Sequence, residues 1–306
     1  MKGRQVIEGV VRFVGKNPGP TAAIVGGVHG DEATGIQVVR ALTHEFNQGE
    51  YRLARGVLYL VLGNLAAIAK NEASIEKHHR GSTPGADLNR CFTDGVLYRQ
   101  EGNTYEHRRA RELAKALVDV DIGIDIHATS KPSEPFVFCQ RMPTSGDERI
   151  MRWFGATRVL TDPQWIFAGK RVALDEYFAR HGGVGLCYET GEAKDTSRTS
   201  QVHNEMLNVL IDLQLIGSGR GIRRYKPFTV RSKGTFALET AVMCPGLGYR
   251  WRTGQAERNF QSITGGLFHP DAPTSVSDGR YVIVFPKPES RWDPGQPVGY
   301  AAAKKG

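Results

Sequence analysis

Thr21-Ala-Ala-Ile-Val-Gly-Gly-Val-His-Gly-Asp-Glu32 is the stretch from which the rest of this 306-residue chain can be read. Its apolar residues up to Val28 read as a buried strand. Val39, Leu42 and Phe46, which follow at i, i+3 and i+7, read as one face of an amphipathic helix. His29 and Glu32 therefore fall where a strand hands over to a helix, the crevice in which open α/β sheets bind their ligands. Neutral imidazole and carboxylate are both zinc ligands, and one short turn pre-organises two of them. A catalytic zinc site needs a third protein ligand and an open position. His127, at the end of the apolar strand Ile122-Gly-Ile-Asp-Ile-His127, offers that third ligand. This set of donors points to metal-assisted hydrolysis.

Outward from this stretch the chain alternates strands and helices. Thr21–Val28, Gly56–Leu62, Asp121–His127 and Val184–Tyr188 read as strands, and Gly35–Phe46, Asn103–Val118 and Gln201–Ile216 as helices. Such alternation predicts an α/β fold, a sheet with helices on both faces. Gly217-Ser-Gly-Arg-Gly221 reads as a helix stop and linker. Beyond it come short β-like runs (Phe228–Val230, Ala237–Val242, Tyr281–Phe285, Val298–Ala301) between Gly- and Pro-rich turns, the pattern of a small antiparallel sandwich or barrel. The expected division is a catalytic domain over 1–222 and a β-rich C-terminal domain over 223–306.

Composition narrows the function classes. Hydrophobic content of 40% with 24% charged residues is that of a globular protein. Met1-Lys-Gly-Arg-Gln lacks the apolar core of a signal peptide, and the longest mainly apolar run, Val57–Ala69, is too short to cross a bilayer. The four cysteines are scattered without a C-x-x-C, which fits a reducing compartment, so no membrane association and a cytoplasmic location are expected. The net charge of +8 comes without a continuous basic stripe or a binding motif, so no nucleic-acid partner is expected. The cluster Arg108-Arg109-Ala-Arg111 reads as the solvated face of a helix. A homo-oligomer is left open.

Three further patches carry candidate chemistry. In Asp87-Leu-Asn-Arg90, Asn89 and Arg90 offer an amide and a guanidinium fork that together suit a substrate carboxylate. Asp125 and His127, two apart on a strand, share a face, so Asp125 is placed to hold the second ring nitrogen of His127. In Leu186-Cys-Tyr-Glu-Thr-Gly191, Glu189 is a carboxylate at a strand end, suited to proton transfer with a metal-activated water. Each patch alone has an ordinary structural explanation, as a loop, a cap or a strand-end acid. Cys187 reads as a small buried hydrophobe.

Taken together, H-G-D-E at 29–32, the Asn64 region, D-L-N-R at 87–90, D-I-H at 125–127 and E-T-G at 189–191 resemble the succinylglutamate desuccinylase/aspartoacylase family. This is a branch of the zinc carboxypeptidase-like hydrolases, and the resemblance covers nearly the whole chain. It implies a carboxypeptidase-like mixed sheet flanked by helices, with a smaller β-rich C-terminal domain partly covering the site. It implies one zinc per chain on His29, Glu32 and His127, and Glu189 as the acid–base residue. Asn89 and Arg90 then bind the carboxylate of a small anionic N-acyl amino acid, whose amide bond is hydrolysed. The family also uses an arginine ahead of D-L-N-R for the oxyanion. Arg80 is the candidate here, although the stretch Lys70–Arg80 departs from the family spacing. A peptide-cleaving carboxypeptidase and a catalytically silent ligand-binding protein share most of these motifs. Retention of Glu189 argues against the silent binder.

Overall fold

Every residue of Ile122–Thr129 is buried, the mark of a strand covered on both faces. The computed structural model describes residues 2–74, 87–167, 169, 171–217, 234–251, 254–264, 267–268 and 278–305. Its strands are β1 (Arg4–Ile7), β2 (Val10–Val14), β3 (Asn17–Gly26), β4 (Arg55–Leu62), β5 (Ile122–Thr129), β6 (Phe136–Cys139), β7 (Arg158–Thr161), β8 (Val184–Glu192), β9 (Thr235–Met243), β10 (Arg250–Trp251), β11 (Gln261–Thr264), β12 (Leu267–Phe268), β13 (Asp278–Val284) and β14 (Pro297–Lys305). Its helices are α1 (Ala33–Gln48), α2 (Leu65–Lys70), α3 (Asp94–Leu97), α4 (Tyr105–Ala116), α5 (Ser145–Met151), α6 (Leu174–Arg180) and α7 (Thr199–Asp212).

Twelve strands form one mixed sheet in the order β1-β2-β4-β3-β5-β8-β6-β7-β9-β14-β13-β11. β3 pairs in parallel with β4 on one side and with β5 on the other, and β5 pairs in parallel with β8. The chain leaves β3 for β4 and later returns to the opposite flank as β5. The strand order thus reverses at β3 and β5, and the crevice outside their C-terminal ends is the ligand position of such sheets.

Alternation along the central strands separates core from chemistry. Ile24, Ile124, Ile126, Leu186 and Tyr188 pack on one face with Leu42 and Phe46 of α1 and Val202 and Met206 of α7. Ala23 and Val25 face the other way, packing with Ala110 and Leu113 of α4 and Tyr177 and Phe178 of α6. Asp125 lies opposite Val25 and Cys187 in the ladder, in the row that passes through the polar residues.

The C-terminal strands depart from the expected sandwich or barrel. β9 pairs in parallel with β7, and β14, β13 and β11 follow antiparallel, so they extend the main sheet rather than close a second one. Phe136, Phe138 and Cys187 share a cluster with Phe236, Leu238 and Tyr300. The boundary expected near 222, and the run Phe228–Val230, lie outside the described residues.

One sequence reading is corrected here. Arg109 is not on a solvated face: it is 2% exposed, and its guanidinium donates to the carbonyls of Gly63, Leu62 and Glu8 at 2.7–2.9 Å. Backbone carbonyls at the end of β4 and in the β1–β2 turn need donors, and a planar fork serves several at once. Among the described residues, no helix is long and apolar enough to cross a membrane.

Candidate metal centre and substrate cavity

Glu32 is the N-cap residue of α1, but its carboxylate makes no capping bond. Its Oε1 lies 2.8 Å from His29 Nδ1 and its Oε2 3.0 Å from His127 Nδ1. The turn that allows this is tightly packed. A β-carbon on Gly30 would lie 2.1 Å from the Ala67 carbonyl carbon, at the adjacent α2. One on Gly26 would meet the Gly35 carbonyl oxygen at 2.2 Å, so two glycines let α1 press its first turn onto β3. Donor atoms of His29, Glu32 and His127 consequently all lie within 4.8 Å of one another.

The second nitrogen of each histidine is also held by an acid. His127 Nε2 lies 2.8 Å from Asp125 Oδ2, the same-face contact expected of residues two apart on a strand. His29 Nε2 lies 3.1 Å from Asp87 Oδ1, a contact the sequence reading missed. Asp87 also caps the 3-10 turn Leu88–Arg90, accepting from the Asn89 N–H at 2.9 Å. That local role is what its position in the sequence signals; the bond to a residue 58 positions away has no local signature.

The electrostatics follow from this ring of acids. Burial disfavours the charged form of His29, yet the Glu32 and Asp87 carboxylates outweigh it and raise the pKa to about 10. Burial likewise opposes charge on His127, and Asp125 and Glu32 again prevail, raising it well above its ordinary value. Burial pushes the Glu32 and Asp87 carboxyls up, but the facing histidines hold both below the usual carboxylate range. A divalent cation among the three donors would replace the two imidazolium charges. Each histidine then offers Nδ1 while a carboxylate orients the other nitrogen, the arrangement typical of ligating histidines. Two histidines and a glutamate, with these partners behind them, fit zinc.

His29, Glu32 and His127 open onto a small cavity of about 130 Å³. Glu189 lines it from β8, opposite His127 in the β5–β8 ladder. β8 continues past Glu189 to Glu192, so the glutamate lies within the strand rather than closing it. Burial comes first among the causes that raise its carboxyl to about 7, and the Glu32 charge adds to it against the pull of His127. Its Oε2 has no hydrogen-bond partner, while the Cys187 thiol donates toward Oε1 at 3.8 Å. Cys187 is buried as expected, but it also lines the cavity.

Asn89 and Arg90 line the cavity too. The Asn89 Oδ1 accepts from the Leu174 N–H at 3.2 Å, which leaves the amide N–H₂ for a ligand. Arg90 lies over the Phe167 ring, 4.6 Å from its centroid. Phe167 stacks on Phe285 at 4.8 Å, and Phe138 meets both edge-on. The C-terminal region thus supplies a wall of the cavity through Phe285. Arg80, with the neighbouring His78 and His79, lies outside the described residues.

The chain is similar to several known proteins. A family model described as the succinylglutamate desuccinylase/aspartoacylase catalytic domain matches residues 18–211. A probable aspartoacylase from Nostoc is 34% identical over 113 residues, 35% of this chain and 35% of that protein. The succinylglutamate desuccinylase of Serratia proteamaculans is 23% identical over 305 residues, 93% of this chain and 86% of that one. Among solved structures, the succinylglutamate desuccinylase from Vibrio parahaemolyticus superposes with a TM-score of 0.71 at 16% identity, over 97% of this chain and 86% of that one.

Proposed function

Since the chain belongs to the succinylglutamate desuccinylase/aspartoacylase family, we propose that it is a zinc-dependent hydrolase cleaving the amide bond of a small N-acyl amino acid. The observation that carries this reading is the convergence of His29, Glu32, His127, Glu189, Asn89 and Arg90 on one cavity. Zinc held by the two histidines and Glu32 would acidify a water molecule and polarise the scissile carbonyl. Glu189, buried and with one oxygen unpaired, takes the proton of the attacking water. It then passes that proton to the nitrogen as the C–N bond breaks, giving a carboxylic acid and an amine. Asn89 and Arg90 hold the substrate carboxylate and so fix the amide in reach of Glu189. Arg80 is proposed to stabilise the oxyanion. The aromatic wall of Phe138, Phe167 and Phe285 keeps the cavity poor in water, which strengthens each of these charge interactions. Four buried thiols are in keeping with a cytoplasmic enzyme.

The test is amine release from a panel of N-acetyl and N-succinyl amino acids by zinc-loaded protein, with and without a chelator. Chelator-sensitive hydrolysis of the free acids, with little action on their C-terminal amides, is expected. Preference for peptides over the matching N-acetyl amino acids would assign a carboxypeptidase instead. Turnover of neither would leave a binding protein.

A further inference from the structure

Asp175 has no place in the chemistry above, yet it lines the same cavity. It sits in the first turn of α6, is 2% exposed, and its Oδ1 has no hydrogen-bond partner among the described residues. Of the cavity's other carboxylates, Glu189 also keeps one oxygen unpaired, but it already has a part in the proton transfers. Glu176 accepts from Arg180 Nε at 3.0 Å, Glu32 lies between the two histidines, and Arg90 donates to the Asn89 carbonyl at 2.7 Å. Asp175 forms no ion pair among the described residues. Buried carboxylates are normally paired, and one left over at the wall of a binding cavity calls for a charge from the ligand.

We infer that Asp175 receives a free ammonium group of the substrate, so that the preferred substrates are diamino acids acylated on one nitrogen. This rests on the deacylase reading and names the substrate class within it. The cavity carries the corresponding groups: Arg90 and Asn89 suit the carboxylate, the zinc donors and Glu189 the amide, and Asp175, next to the Leu174 that bonds Asn89, a side-chain ammonium. Phe138 and Ala173 line the cavity too, offering apolar surface to the methylenes between. Burial, followed by the Asp125 charge, raises the Asp175 carboxyl to about 7 in the absence of a partner, and a cation beside it would favour ionisation. A hydroxyl or amide would supply a hydrogen bond but leave that charge unbalanced.

N-α-acetylornithine and N-acetylnorleucine, nearly equal in size and differing in the terminal ammonium, make the comparison. The zinc-loaded enzyme is expected to favour the ornithine compound by about 10- to 100-fold in kcat/KM, as a site built around a polar group discriminates against the analogue lacking it. Asp175→Asn should abolish most of that preference by slowing the ornithine compound alone, with zinc content unchanged by elemental analysis. Equal wild-type rates on the two compounds would overturn the inference. So would an equal loss on both in Asp175→Asn, which would place its effect on Asp125 and His127 instead. Calorimetric titration of the zinc-loaded protein with ornithine and norleucine reads the same preference without turnover. If no N-acyl amino acid is hydrolysed the deacylase reading fails, and norleucine binding as tightly as ornithine would then sink the ammonium site by itself.

Discussion

Glu32 gives up one role for another. An N-cap side chain stabilises a helix by about 1 kcal/mol, and α1 forgoes that bond so that both oxygens meet histidines. Its two contacts, at 2.8 and 3.0 Å, pair a carboxylate with two imidazoles, where a cap would give it one backbone N–H. Asp87 stands behind His29 as Asp125 stands behind His127, and Asp87→Asn is expected to weaken zinc retention by roughly 10- to 100-fold in chelator competition, the usual effect of such partners. Retention at the wild-type level would show that the bond to His29 does not tune the metal. Glu189→Gln should keep fold and zinc while lowering kcat by about two to four orders of magnitude. Near-normal turnover of the metal-replete variant would remove Glu189 from the proton transfers. His29 and Glu32 were legible from their types at the handover from β3 to α1, and His127 and Glu189 from their types within the otherwise apolar β5 and β8. The partner role of Asp87 and the open carboxylate of Asp175 were not, since both depend on what distant segments bring near.

The central strands were legible because they are near-continuous apolar runs, the pattern of strands covered on both faces. The helices α1, α4 and α7 show apolar spacing and differ from expectation by only a few residues at their ends. β1, β6, β7, α5 and α6 were missed: they span only four to seven residues, too few for a period to emerge. Within α7, Glu205 carries a cost invisible in the sequence. Its carboxylate accepts from Tyr188 Oη at 2.9 Å, Gln201 Nε2 at 2.8 Å and the Gly155 N–H at 2.9 Å. Burial nevertheless dominates and raises its carboxyl from the ordinary 4.5 to about 7. The native state therefore binds this proton more tightly than the unfolded chain. The stabilisation is full below pH 4.5 and is lost as pH rises through about 7, amounting to about 3 kcal/mol. Glu205→Gln cannot titrate. Its stability relative to wild type, from denaturant unfolding at pH 4.5 and pH 8, should improve by about 2–3 kcal/mol at the higher pH. A pH-independent difference would mean that Glu205 ionises freely in the native state.

The chain reads in sequence as an α/β half and a β half, but the hydrogen bonding does not stop between them. β7 would be an edge strand without β9, and Phe136 and Phe138 would lose Phe236, Leu238 and Tyr300 from their cluster. Exposed edges with apolar faces invite association. A chain ending at residue 217 is expected to be largely insoluble, or to elute as aggregates on gel filtration. A monomeric product with full activity would show that the later strands are dispensable. The joining of the two halves was not legible because strand pairing between β7 and β9 spans a sequence separation over which local pattern carries no information.

The two histidines clasped by Glu32, Asp87 and Asp125 make metal uptake an ion exchange. Both rings hold a proton well above neutral pH when no metal competes, His29 up to about 10. A divalent cation held by His29, Glu32 and His127 would displace two protons and leave the charge of the pocket unchanged. Near pH 7, zinc affinity should climb about a hundredfold per pH unit, two protons being released per ion. Calorimetric titration in buffers of different ionisation enthalpy counts those protons directly, and a count near zero would mean that the histidines wait neutral for their metal.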